Sequence, residues 1–252
     1  MKLLIDIGNT RLKAALWDGA ALRPIGTALH AGRTDNVDFD ALWKDVDAVT
    51  GVCVASVASA AIGNRLAAGV EARFALRPVF CTSPASACGV RNAYGEPALL
   101  GVDRFLGMVA LHAGGGGPHV LASCGTALTL DALALGGEHL GGLIAPSPLL
   151  MLDALTGAAA RLAKPAAARV VEIADNTADA MESGVWLAGA ALVERFVARA
   201  TVRFGKAPAL VLTGGGAARL GELIALSHRV ENDLVLRGLA ILADSRTDHR
   251  DG

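Results

Sequence analysis

Short apolar blocks separated by small polar tips open this chain, and the same succession of blocks starts again about halfway along. Leu3-Leu4-Ile5-Asp6-Ile7 runs into Gly8-Asn9-Thr10 and leaves through Arg11-Leu12-Lys13; Val120-Leu121-Ala122-Ser123-Cys124 runs into Gly125-Thr126 and leaves through Ala127-Leu128-Thr129-Leu130-Asp131. Blocks of this length bounded by turn residues predict strands joined by tight turns. From Lys2 to about Leu29 the pattern predicts an antiparallel meander with a second turn at Asp18-Gly19. A helix near Phe39 to Val46, a strand from Gly51 to Ser56, a helix from Ala60 to Ala68 and a strand from Pro78 to Cys81 follow. Gly114-Gly115-Gly116-Gly117-Pro118 suits neither a helix nor a central strand. It is read as the linker, giving domains 1-117 and 118-252.

The second half begins a meander again, with strands at Val120 to Ser123, Ala127 to Leu133 and Leu140 to Ile144 and a turn at Gly136-Gly137. Alanine-rich helices are predicted at Leu149 to Leu162 and Thr177 to Ala200, with irregular chain from Lys164 to Asn176 between them. A strand at Ala209 to Leu212 ends in Thr213-Gly214-Gly215-Gly216, a helix follows it, and another lies near Leu234 to Ala243. The polar stretch from Ser245 to Gly252 has no apolar period and is expected to fray.

Composition narrows the class. The chain has 252 residues, 53% of them hydrophobic but only 4% aromatic, which favours small side chains packing helices on sheets. A formal net charge of -1 offers no basic excess for nucleic acid or an anionic membrane, so a small molecule is the expected partner. Cys53, Cys81, Cys88 and Cys124 form no Cys-x-x-Cys pair, and buried thiols in a reducing compartment are expected rather than a disulfide or a structural zinc. The apolar start is interrupted at Asp6 and Asn9, too early for a signal peptide, and no stretch is long enough to span a bilayer. A cytoplasmic location is the expectation.

The repeated strand-turn-strand looks like a duplicated phosphate clamp. Glycine lets backbone approach a ligand closely, and backbone N–H groups together with the hydroxyls of Thr10 and Thr126 could face phosphate oxygens. Asp6, at the end of a buried strand, is suited to Mg2+, which takes one or two carboxylates plus phosphate oxygens and waters. An ordinary hairpin would use the same Gly and Asn, so the repetition is what favours the clamp. P-loop, dinucleotide-binding and nucleophile-elbow patterns do not occur, and the six histidines show no His-x-x-x-His spacing.

Together with Asn92 to Phe105, these segments make the chain resemble the type III pantothenate kinases, a family of the acetate and sugar kinase, Hsp70 and actin superfamily. The matching pieces run in order: Asp6-x-Gly8-Asn9-Thr10, Gly101-x-Asp103-Arg104, Gly125-Thr126-Ala127-x-Thr129-x-Asp131, Gly141-Gly142-Leu143-Ile144-x-Pro146, Asn176-Thr177 with Ser183-Gly184, Thr213-Gly214-Gly215, and Asp233-Leu234-Val235-Leu236-x-Gly238-Leu239. The resemblance implies an α/β fold of two ribonuclease-H-like (actin-like ATPase) domains, each with a mixed sheet flanked by helices. It also implies transfer of the γ-phosphate of ATP to pantothenate, with Mg2+ and a monovalent cation, K+ or NH4+, as cofactors.

By the same resemblance Asp103 is the catalytic base. ATP is assigned to Asp6, Ile7, Gly8, Asn9, Thr10, Arg11, Leu12, Lys13, Gly125 and Thr126; pantothenate is assigned to Tyr94, Gly101, Val102, Asp103, Arg104 and Thr177. A homodimer formed through the C-terminal domain is implied, with Thr177 reaching the partner's pantothenate site. Thr213-Gly214-Gly215-Gly216 is read as approaching the adenosine side of the cleft. Plainer readings stand beside these: an exposed helix-start ion pair for Asp103-Arg104, a loop aromatic for Tyr94, a helix N-cap for Thr177, and a structural turn for Thr213-Gly214-Gly215-Gly216. One departure is Ser123, where the family often has an aspartate at the monovalent-cation position; a hydroxyl can coordinate the ion but brings no charge. Phe105 stands where tryptophan is common. A catalytically weak relative that binds nucleotide, and a kinase of another small alcohol on the same fold, are the alternatives.

Overall fold

In a computed structural model of the chain, residues 1-30, 37-158 and 167-245 are described. They form two compact units, one of Met1–Gly115 with Gly136–His139 and the chain from Asp233 onward, the other of Gly116–Leu135 with Leu140–Asn232. In the first, β1 (Lys2–Ile7), β2 (Arg11–Trp17) and β3 (Leu22–Leu29) make the meander. Then come α1 (Phe39–Trp43), β4 (Gly51–Ser56), α2 (Ala60–Phe74) and β5 (Val79–Cys81). The sheet order is β3-β2-β1-β4-β5, antiparallel through the meander and parallel from β1 to β4 and β5. A small ribbon of β6 (Ser86–Ala87) and β7 (Val90–Arg91), a 3-10 turn at Pro97–Leu99 and α3 (Val102–Ala113) complete the run.

The second unit repeats the plan with β8 (His119–Cys124), β9 (Ala127–Leu133) and β10 (His139–Pro146). It continues with α4 (Pro148–Ala158), α5 (Thr177–Phe204), β11 (Ala209–Thr213), α6 (Ala217–Leu223) and β12 (His228–Val230). Its sheet order, β10-β9-β8-β11-β12, is that of the first sheet position by position. The last helix, α7 (Leu234–Ser245), belongs to the first unit.

Burial explains the run of elements. Leu3, Ile5 and Ile7 point to one face of the first sheet, where Leu12, Leu16, Val52 and Val54 join them under α1 and α2. Leu4 and Ala15 point to the other face and are covered by Val102 and Leu106 of α3 and Leu236, Leu239 and Ala240 of α7. A central strand buried on both faces reads as a continuous apolar run. In the second unit Val120, Ala122, Leu128, Leu130, Leu210 and Leu212 lie under Trp186, Val193 and Val197 of α5 and Leu220 of α6. α5 starts at Asn176, whose side chain accepts from the Asp179 N–H at 2.9 Å, and stops at Gly205 in the left-handed region.

Several expectations are adjusted. The first division between the units lies between Gly115 and Gly116, but Gly136–His139 and α7, both placed above in the second domain, belong to the first unit, where α7 covers the outer face of the sheet. α2 continues past Ala68 to Phe74, since Gly69 makes room for the Trp43 ring, 3.3 Å from where a Cβ would sit, rather than ending the helix. α3 was not among the predicted helices; it starts at Gly101 with no side-chain cap to announce it, and Arg104 through Leu111 are all buried. Residues 159-162 of the helix expected at Leu149 to Leu162, 164-166 of the irregular stretch and 246-252 of the tail lie outside the described residues. Among the described residues no helix is long and apolar enough to cross a membrane.

Candidate active site

The first tip is a closed hairpin. Gly8 donates its N–H to the Arg11 carbonyl at 3.0 Å, and His30, just past β3, donates its N–H to the Thr10 carbonyl at 2.9 Å. The buried His30 ring places Nε2 2.8 Å from the Gly8 carbonyl; an amide oxygen only accepts, so Nε2 carries the proton. Ile7 and Leu12 are fully buried in the core, so only their backbone is available to a ligand. Asn9, Thr10 and Arg11 are the exposed residues of the tip.

Beside the tip four charged side chains converge from four elements. Asp6 of β1 and Lys13 of β2 are register partners. Lys13 Nζ forms an ion pair with Asp233 Oδ1 at 3.0 Å, linking β2 to the residue before α7. Burial pushes the Asp6 carboxyl up to about 7; the Asp103 and Asp233 carboxylates push the same way and Lys13 opposes them. Asp103 is the second residue of α3, where the helix N-terminus favours a negative charge. Its Oδ1 accepts the Arg104 N–H at 2.9 Å, and a Cβ at Gly101 would stand 2.6 Å from that oxygen. Gly101 therefore leaves the room that Asp103 occupies.

Mg2+ suits this corner. Its donors are carboxylates, and an Asp6 carboxyl held near 7 by burial and adjacent negative charge is one whose ionised form a divalent cation would favour. Among the described residues no three His, Cys, Asp or Glu side chains cluster as a cage, so further ligands would have to be phosphate oxygens and waters.

Tyr94 and Arg104 form a second group in the same unit. Arg104 is buried, donates from Nη1 to the Tyr94 hydroxyl at 3.0 Å and lies over the Tyr94 ring at 5.8 Å. This replaces the exposed ion pair of the plainer reading. The Tyr94 ring also stacks with His139, centroids 6.2 Å apart, and the Ala93 N–H donates to His139 Nδ1 at 3.5 Å. Asn92 fixes the loop by accepting the Tyr94 N–H at 3.0 Å and donating to the Pro97 carbonyl at 3.0 Å. Tyr94 is thus held in place rather than loose on a loop.

In the second unit Gly125 donates its N–H to the Ala127 carbonyl at 2.9 Å, closing the second tip as Gly8 closes the first. Ser123 occupies the strand position that Asp6 occupies in β1, with Thr129 and Thr213 as its register partners on either side. That is a row of three hydroxyl residues and no carboxylate. The Gly216 N–H donates to the Cys124 carbonyl at 3.0 Å, and a Cβ at Gly214 would stand 2.5 Å from the same oxygen, so the glycine run serves close packing at the end of β8. Thr177 is the first residue of α5 and the cap is Asn176, which corrects the N-cap reading. It lines a cavity of about 1060 Å3 with Pro146, Leu150, Met151, Met181 and Val185.

Sequence reasoning missed three residues of these groups: Asp233, His139 and His30. Asp233 stood in a quoted motif as a helix start, and its charge before an apolar run was the available signal; neither histidine carried one.

Two sheets of order 3-2-1-4-5, each opening in a hairpin tip, with carboxylates gathered beside the first, define the actin-like ATPase class. The same fold occurs in a Campylobacter jejuni protein described as a Baf family transcriptional activator, at a TM-score of 0.62 and 17% identity over 98% of this chain and 99% of that one. A propionate kinase from Francisella tularensis shares it at a TM-score of 0.52 and 12% identity, covering 96% of this chain and 97% of that one. Within this class, the sequence model of type III pantothenate kinase matches residues 2–199, and the chain belongs to that family. It is 38% identical to the type III pantothenate kinase of Chromobacterium violaceum over 97% of this chain and all of that protein. It is 39% identical to that of Xanthomonas campestris over 95% of this chain and 96% of that protein.

Proposed function

We infer that the chain transfers the γ-phosphoryl group of ATP to the primary hydroxyl of pantothenate, giving 4'-phosphopantothenate, the first step of coenzyme A biosynthesis. The observation that carries the assignment of roles is the gathering of Asp103, Asp6, Lys13 and Asp233 in one electrostatic cluster beside the first tip. Phosphoryl transfer depends mainly on positioning and charge. Asp103 orients the pantothenate hydroxyl and takes its proton as the oxygen attacks phosphorus. Arg104, already fixed by Tyr94, presents remaining guanidinium donors to the pantothenate carboxylate. Lys13 and the first tip, through Asn9 and Thr10, hold the phosphates. Asp6 would hold Mg2+ through water, and the ion would supply charge neutralisation at the phosphates.

The monovalent cation, K+ or NH4+, is assigned to the neutral row at Ser123, which suits a singly charged ion without giving it a counter-charge. A homodimer is the proposed assembly, supported by exposed Leu143, Ile144, Leu149 and Leu150 on the unit whose cavity contains Thr177. The cytoplasm is the proposed location.

The test is incubation with ATP, Mg2+, NH4+ and pantothenate, with mass spectrometry for 4'-phosphopantothenate. Wild type forms it, and Asp103→Asn loses about 10²- to 10⁴-fold in rate with its fold intact. No product from folded wild-type protein across cation and nucleotide conditions rejects the reading.

A further inference from the structure

We propose that Asp233 is a positioning residue of the phosphoryl-transfer site, its carboxylate holding the Lys13 ammonium beside Asp6. The proposal rests on the reading above in which Lys13 meets the phosphates. Asp233 lies 220 positions from Lys13 in sequence, and the two side chains meet at 3.0 Å. The contact ties the first hairpin to the start of α7, whose first turn is closed by the Arg237 N–H donating to the Asp233 carbonyl at 2.9 Å.

Three features argue for positioning rather than fold stability. First, the pair is half-buried, with side-chain exposures of 29% and 35%, and ion pairs so open to water add little to stability. Second, Asp233 adds a negative charge to a corner that already contains Asp6 and Asp103, which is unfavourable for folding unless it directs a cation. Third, Asp233 sits at φ 61, the left-handed region, one of three such non-glycine residues among the described ones. Aspartate tolerates that conformation better than most side chains but does not prefer it, and strain of this kind gathers at functional sites.

The geometry also explains why Lys13 needs a tether. A lysine has a flexible stem and a compact charge, and its register partner is Asp6, the carboxylate assigned to Mg2+. An untethered Nζ would settle on Asp6 and compete with the metal. Asp233 draws it to one side and leaves its other N–H donors for phosphate oxygens.

The experiment is a double-mutant cycle of Lys13→Met and Asp233→Asn, reading kcat and KM for ATP and for pantothenate, with Tm for each variant. Asparagine is the partner of choice because it tolerates the left-handed backbone. Asp233→Asn is expected to lower kcat/KM for ATP by about 10- to 100-fold, the cost of a misplaced group. KM for pantothenate should stay within about twofold, and Tm within about 4 °C. In the Lys13→Met background the same substitution should change nothing further, to within about twofold. Equal losses in both backgrounds, or an unaffected Asp233→Asn beside an impaired Lys13→Met, overturn the proposal. A Lys13→Met enzyme with wild-type kinetics removes the phosphate assignment of Lys13 and the proposal with it. If Asp233→Asn fails to fold, Asp233→Gly, free to adopt the same φ, repeats the cycle; failure of both to fold makes the residue structural and overturns the proposal.

Discussion

Asp6 is the residue whose environment departs furthest from what its type predicts. Its carboxyl rises from 3.8 to about 7, through burial first and the Asp103 charge second. Between those two values the folded ligand-free chain keeps a proton that the unfolded chain has lost, so stability falls as pH rises from about 4 to about 7. Asp6→Asn should therefore raise Tm of the ligand-free protein at pH 8 and leave it nearly unchanged below pH 4, while abolishing most activity. Scanning fluorimetry across pH reads this directly; an equal shift at both ends would contradict it. Gly101 gives a second prediction at this scale. Gly101→Ala places a methyl 2.6 Å from Asp103 Oδ1, and the carboxylate must turn away, lowering kcat by about 10- to 100-fold. Steady-state kinetics with pantothenate should show the loss in kcat more than in KM for ATP. For the neutral hydroxyl row, Ser123→Asp should lower the K+ or NH4+ concentration for half-activation by adding charge to the site. Asp6 was legible as chemistry because a carboxylate stands in an apolar block just before a glycine turn, and Asp103 only through the matched motif. His139 and His30 were not, because a lone histidine takes its role from neighbours that only folding supplies.

Helix α3 shows why one element was hidden and why it matters. Its start at Gly101 has no side-chain cap to signal a helix, yet its first turn carries Asp103 and Arg104. It is seated by α7, where a Cβ at Gly238 would collide with the Leu106 carbonyl oxygen. Gly238→Ala must push two helices apart, with an expected cost of about 1–3 kcal/mol or more from overpacking. Denaturant unfolding measures that loss. Because α3 carries the proposed base, kcat should fall in the same variant even under conditions where it remains folded. The hairpins, by contrast, were readable at element scale: apolar blocks meeting at Gly and a hydroxyl residue define strand ends locally. What their glycine N–H groups do was not readable, since both are committed to closing the turn rather than directed outward.

At the scale of the molecule, the duplication seen in sequence corresponds to two sheets with the same strand order. The strand directions follow from connectivity, because a meander is antiparallel while the later strands return parallel through helices. Assembly makes its own prediction. If Thr177 completes a partner's pantothenate site, mixing inactive Asp103→Asn and Thr177→Ala chains should restore up to about a quarter of wild-type activity per site, as random exchange of two subunits gives half mixed dimers with one intact site each. Native mass spectrometry would verify exchange, and no recovery with exchange proven would refute the shared site.

The sequence by itself determined the local parts: where strands end, which turns repeat, which carboxylates stand beside them, and the family to which the motifs belong. Those follow from side-chain type and short-range spacing. Tertiary structure alone decided that α7 lies on the first sheet, that Asp233 meets Lys13 from 220 positions away, and that Asp6 titrates near neutrality. Each of these depends on which distant surfaces are buried together, and burial is what gives an ordinary carboxylate an extraordinary pKa.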